Sequence, residues 1–195
     1  MDYVSTGTIA VTIFEYLMVL VSIILGLGVT QVLRGLSRLA RSDSTYGALA
    51  IWAVFLFYMH IQVWWALWDL HAVPDWNQAF FILLVLIPCS LFGATELLLP
   101  MGATPETDWR AHFFEVRRWF FAMMIVMMSF AVVESRVFLG TPLTHPYRIV
   151  QALVITALII GFVSGKPRVQ PWLAVSALGV VLAGQVLFRL VPGLN

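Results

Sequence analysis

The sequence predicts an all-α integral membrane protein, a single transmembrane domain over residues 1–195 built as a bundle of about six transmembrane helices. Three observations predict it. Hydrophobic residues make up 61% of the chain and charged residues only 11%, against roughly 45–50% and about 25% in soluble domains. Apolar runs recur at the length of roughly 20 residues that crosses a hydrocarbon core of about 30 Å. The residues between those runs are helix starters, helix stoppers and basic loop residues.

The first segment runs from about Ile13 to Leu33. Thr12-Ile13-Phe14-Glu15 has capping-box spacing, with a hydroxyl for a first-turn amide and a carboxylate reaching back. The opening Met1-Asp2-Tyr3-Val4-Ser5 lacks the basic region of a cleavable signal peptide, so this segment is expected to be retained. Glu15 is a candidate polar site near the outer end. Ser22, Gly26 and Thr30 follow it on one helical face. That small, polar stripe would admit another helix closely or line a wet path.

The second segment, about Ala48 to Leu70, carries His60 near its middle. An ionisable group at membrane depth is a functional candidate by default. His60 fits a proton relay, a pore-lining group or an axial haem ligand. The plainer reading is an interhelical hydrogen bond. Gln62 lies nearby on a different face, and Trp64 one turn on. His112 and His145 fall near opposite interfaces and His71 in a loop, so no bis-histidine haem pair and no cofactor are expected.

The third segment spans about Ala79 to Leu99, with Asp75 and Gln78 at capping-box spacing before it. Pro88 in Pro88-Cys89-Ser90 predicts a kink. Glu96, in the inner third, needs a cation. Arg34, Arg117 and Arg118 are expected at its depth, giving an ion-pair cluster or a gating site. The fourth segment spans about Phe113 to Glu134. His112, Glu115 and Arg118 share a face at its start, and with Arg34 and Arg117 they read as anchors to lipid headgroups. Two candidate ligands are too few for a zinc site, and no metal is expected. Met123, Met124, Met127 and Met128 read as packing filler. Glu134 and Arg136 mark the outer end and are candidates to pair with Glu15. The fifth segment, about Ile149 to Val163, and the sixth, about Trp172 to Val191, complete the set. Pro105, Pro146 and Pro171 read as first-turn prolines. Gly102, Gly140 and Gly165 read as left-handed stops. Gln31-Val32-Leu33 and Gln185-Val186-Leu187 echo each other, an echo too short to argue an inverted repeat.

Loop charge orients the bundle. Arg34, Arg38, Arg41, Arg110, Arg117, Arg118, Lys166 and Arg168 fall on one side, and only Arg136, Arg148 and Arg189 on the other. The positive-inside rule places the first side in the cytoplasm and both termini outside. Trp64, Trp65, Trp68 and Trp76 then form an outer belt, and Trp109 and Trp119 an inner one. A net charge of +1 argues against nucleic acid as a partner. The lone Cys89 excludes an internal disulfide.

Three stretches carry a resemblance: Ile23-Ile24-Leu25-Gly26-Leu27-Gly28-Val29-Thr30-Gln31, His60-Ile61-Gln62-Val63-Trp64-Trp65, and His112-Phe113-Phe114-Glu115-Val116-Arg117-Arg118-Trp119-Phe120-Phe121. Together they resemble a group of small, uncharacterised bacterial multi-span membrane proteins. The resemblance covers most of the chain. It implies a bacterial inner membrane and brings no activity or catalytic residue. The chain has no phosphate loop, nucleophile elbow, Cys-x-x-Cys or His-Glu-x-x-His. The expected function is a channel or an ion- or proton-coupled transporter acting in the lipid bilayer as a homo-oligomer. A scaffold or accessory subunit among other membrane subunits is the alternative, and an intramembrane redox or lipid-modifying enzyme is a third.

Overall fold

The computed structural model describes residues 12–73 and 76–187. Six α-helices carry the fold: α1 (Ile13–Ala40), α2 (Gly47–Ala66), α3 (Gln78–Leu98), α4 (Trp109–Val137), α5 (Tyr147–Val163) and α6 (Gln170–Gln185). A 3-10 turn, Leu67–Ala72, extends α2, and no strand occurs among the described residues. The helices α1 to α4 are each long and apolar enough to cross a membrane. The other two are shorter, with 17 residues in α5 and 16 in α6, or roughly 25 Å at 1.5 Å per residue.

Neighbours run α1–α3–α4–α5–α6 around the bundle, and α2 joins the two ends by packing on α1 and α6 while also touching α3 and α4. That position follows from its sequence. Leu49, Trp52, Ala53, Leu56 and His60 are buried at helical spacing, and Ala48, Phe55 and Met59 bury a second strip beside them. The centre is aromatic. Trp52 makes edge-on contacts with Phe55, Phe120 and Phe121 at ring-centroid distances of 5.3, 5.7 and 5.2 Å. Helix α5 reaches this cluster because residue 161 is glycine, where a Cβ would come within 2.5 Å of the Phe121 ring. Outward faces are apolar on every side: Leu20, Ile23 and Leu27 on α1, Ile82 and Leu86 on α3, Leu153 and Ile160 on α5, Val175 and Leu182 on α6. Water would penalise such a surface, whereas hydrocarbon accepts it. The protein is a membrane-embedded helical bundle.

The helix starts refine the sequence reading. The capping box at α1 is present, with Glu15 N–H donating to Thr12 Oγ1 at 3.2 Å and Thr12 N–H to Glu15 at 2.8 Å. At α3 the cap is Asn77, which accepts from Phe80 N–H at 2.9 Å. Asp75 lies outside the described residues. Helix α4 starts four residues after Pro105, on the Asp108 cap, so Pro105 belongs to the preceding turn. Pro171 does sit in the first turn of α6, and Pro146 is the cap residue of α5. Of the three proposed stops, only Gly140 is left-handed, with φ +66°. The C-terminal end of the sixth segment, with Arg189, lies outside the described residues.

Candidate functional site

The two ends of the bundle differ. At the Arg-rich end, α3 and α5 finish and present carbonyls without helical donors. Polar side chains from neighbouring helices fill them. Gln31 donates to the Leu99 carbonyl at 2.6 Å and Arg38 to the same oxygen at 3.3 Å, and the His112 ring meets the Leu97 carbonyl at 3.1 Å. Arg117, buried on α4, donates through Nη1 to the carbonyls of Gly161, Phe162 and Ser164 at 2.5, 2.8 and 2.9 Å. Gln170 adds a bond to the Ser164 carbonyl at 2.6 Å. A cation at a helix C-terminus also opposes the negative end of the helix dipole. Tyr46 ties the start of α2 to the α5–α6 loop through the Pro167 carbonyl at 3.3 Å, and burial pushes its phenol above the usual range, with Arg110 pulling it back. This end is closed.

At the opposite end a part-open cavity of about 600 Å³ lies between the ends of α2, α4 and α6 and the start of α5. Met59, Gln62, Val63 and Ala66 line it from one face of α2, at positions i, i+3, i+4 and i+7. Met127, Met128, Ala131, Glu134 and Ser135 line it from α4, Tyr147, Arg148 and Gln151 from α5, and Gln185 from α6. His145 and Thr141 close the loop side. Its polar groups are organised. Gln62 Nε2 donates to Gln185 Oε1 at 2.8 Å, tying α2 to α6. Arg148 donates through Nη1 to Gln151 Oε1 at 2.7 Å and through Nη2 to the Thr141 carbonyl at 3.3 Å. Glu134 and Gln151 are buried in its walls. The methionines make a soft, apolar base. A chamber of this size and mixed lining is what small organic molecules occupy.

His60 does not line the cavity. Its Nδ1 lies 2.8 Å from the Leu56 carbonyl. A carbonyl only accepts, so Nδ1 carries the proton and Nε2 the lone pair. Nε2 is buried without a hydrogen-bond partner and faces Gly28 of α1 so closely that a Cβ on residue 28 would overlap it. No space for an iron or a water file remains at that nitrogen. The haem-ligand and pore-lining readings of His60 are therefore replaced by a dry contact between α1 and α2.

The other sequence-predicted residues divide. Gln62 and Glu134 both line the cavity. Glu15 is exposed and occupied by its own cap, so it does not pair with Glu134 or Arg136, and Arg136 is exposed on the outer surface of α4. Glu96 is half-buried, and neither Arg34, Arg117 nor Arg118 forms an ion pair with it. Arg34 and Arg118 point outward and Arg117 is taken up by the α5 carbonyls. Of the expected headgroup anchors, Arg34, Glu115 and Arg118 are exposed, whereas Arg117 and His112 turn inward to helix ends. The stripe of Ser22, Gly26 and Thr30 faces away from the bundle core. Its hydroxyls are returned to the carbonyls of Met18 and Gly26, and the close approach falls at Gly28 instead. Met124, Met127 and Met128 are buried, Met123 partly exposed.

Sequence reasoning missed Arg148, Gln151 and Gln185 as site residues. Gln151 and Gln185 are amides inside apolar segments, and that signal was present. No protein-family description, no curated protein and no solved structure matches the chain. Fold and cavity define its class: a helical membrane protein with a small-molecule-sized chamber open towards one end.

Proposed function

We propose that the protein is a small carrier-type transporter of a bacterial inner membrane, with its Arg-rich loops in the cytoplasm and the cavity as its substrate site. One observation carries the reading: the cavity bounded by Gln62, Glu134, Arg148, Gln151 and Gln185 stops at the methionines, beyond which the Trp52–Phe120–Phe121 cluster fills the bundle. A one-sided polar chamber backed by a dry plug suits a carrier that exposes its site to one compartment at a time. An open channel would need a continuous wet path. The aromatic cluster argues against that form of the transport reading.

The test is uptake by proteoliposomes across a panel of small organic anions, cations and neutral solutes. The reading expects saturable uptake of at least one solute, abolished by Ala131→Trp, which fills the chamber, and retained by Val175→Trp on the outer surface of α6. Uptake no greater than that of empty liposomes across the whole panel would contradict it.

A further inference from the structure

Glu134 is the one buried carboxylate among the residues whose burial is described, and it lines the cavity from the last turn of α4. An acid held at membrane depth is a functional candidate by default, and proton transfer is a recurrent use of it. Arg148 of α5 lines the same cavity. Its guanidinium keeps its charge at every accessible pH and engages the neutral oxygens of Gln151 and Thr141. The other titratable groups in the lining are Tyr147 and His145. A phenol is a far weaker acid than a carboxylic acid. His145 Nδ1 accepts from the Tyr147 amide at 3.2 Å, and an accepting ring nitrogen carries no proton, so that imidazole is neutral. Helices α2 and α6 bring no titratable group to the cavity, α3 does not line it, and Arg136 is exposed on the outer surface of α4. Glu134 therefore sets the net charge of the chamber. One proton on its carboxyl turns a balanced pair of charges into a single positive one.

The route beyond Glu134 is dry. The buried face of α4 continues through Met128, Met127, Met124, Phe121 and Phe120 to Arg117 at the closed end, and every buried residue between the two charged ones is apolar. That stretch is about 25 Å long at 1.5 Å per residue, and Trp52 packs edge-on against both phenylalanines. A proton relay needs a chain of polar groups, which this face lacks. A proton that reaches Glu134 from the open end crosses only with the rearrangement that carries the solute.

Building on the carrier reading, we propose that transport is coupled to protons and that Glu134 is the group that carries them. Proton and solute then share one chamber, so each changes the other's affinity by the same factor. The dry face of α4 prevents a proton leak when no solute is present.

The experiment uses the full chain in liposomes whose membrane potential is clamped at zero with potassium and valinomycin. The ligand read directly is the proton, through entrapped pyranine, while radiolabelled solutes of the uptake panel report transport. With one proton per solute, a gradient of one pH unit drives accumulation of up to about tenfold at steady state. Steady-state accumulation does not depend on rate, so a slow variant is not mistaken for an uncoupled one. The native protein should accumulate a panel solute under an imposed pH gradient and should move protons only when that solute is present. Glu134→Gln should bring the solute to equilibrium without accumulating it, whereas Glu134→Asp, which keeps a carboxyl, should accumulate it. If Glu134→Gln does not fold or transport, Glu134→Asp decides: its shorter side chain places the carboxyl differently and should shift the pH of half-maximal uptake, and an unshifted profile would overturn the assignment. The sign of the pyranine response tells whether the proton accompanies the solute or is exchanged for it, and either supports the proposal. Saturable native uptake that ignores the pH gradient, a proton flux without solute, or full accumulation by Glu134→Gln would overturn the coupling and leave the carrier reading standing. If no panel solute is taken up saturably, the carrier reading fails and this inference with it.

Discussion

Replacing Gly28 by Ala tests how closely α1 lies on α2. The new methyl would overlap Nε2 of His60. That ring is only 1% exposed, and Nδ1 holds it to the Leu56 carbonyl at 2.8 Å. Burial and that bond hold the ring in place, so the ring and α1 must move apart. Over-packing of this kind costs about 1–3 kcal/mol, and the gain in helix propensity offsets up to about 1 kcal/mol of it. With the full offset the net loss is about 0–2 kcal/mol, a factor of up to roughly 30 in the folded-to-unfolded ratio. Removing the ring removes the overlap, so Gly28→Ala in a His60→Ala background should be neutral or favourable. The resulting coupling energy should be about 1 kcal/mol or more. The assay is unfolding of the protein in mixed micelles by titration with a denaturing detergent, followed by circular dichroism. If Gly28→Ala stabilised the native protein by its propensity gain alone, or if the two substitutions were additive, the dry α1–α2 contact would be refuted. His60 would then have room for a relay role.

Two further outcomes test the rest of the packing. Arg117→Met leaves the carbonyls of Gly161 and Phe162 without their donor and should destabilise the bundle by about 3 kcal/mol, with Arg117→Lys recovering part of the loss because an ammonium still presents donors on one nitrogen, as Nη1 does; the same detergent titration measures both. Gln62→Leu or Gln185→Leu alone should cost about 0.6 kcal/mol and at most about 1.7 kcal/mol, the range of polar bonds between membrane helices, and the double variant should cost less than the two singles together, as read by a double-mutant cycle.

The architecture was legible because lipid constrains it. Long apolar runs bounded by caps leave few alternatives, and α2, α3 and α5 begin and end within a few residues of their expected bounds. The α1 helix was underestimated at its end. Arg34 and Arg38 look like loop residues, yet the helix carries them to Ala40, and Arg38 supports the Leu99 carbonyl from there. The polar residues were harder. A sequence shows depth but not azimuth, so His60 and Gln62 seemed comparable, although one faces α1 and the other the cavity. Arg117 and Arg118 are adjacent, yet one caps α5 and the other faces outward. Arg148 counted only as an outer loop charge because its partners, Thr141 and Gln151, become meaningful once the α4–α5 turn folds over the cavity.

The account rests on a chamber open at one end and closed at the other. Its most direct measurement is sided thiol labelling. In a Cys89→Ser background, Ala131→Cys places a thiol in the cavity and Ala53→Cys places one in the closed half of the bundle, where residue 53 is fully buried. A membrane-impermeant thiosulfonate is added to right-side-out and to inverted vesicles. The account expects Ala131→Cys to react much faster from the side opposite the Arg-rich loops, and Ala53→Cys to react from neither. An unreactive Ala131→Cys from both sides, or one reached faster from the Arg-rich side, would contradict it.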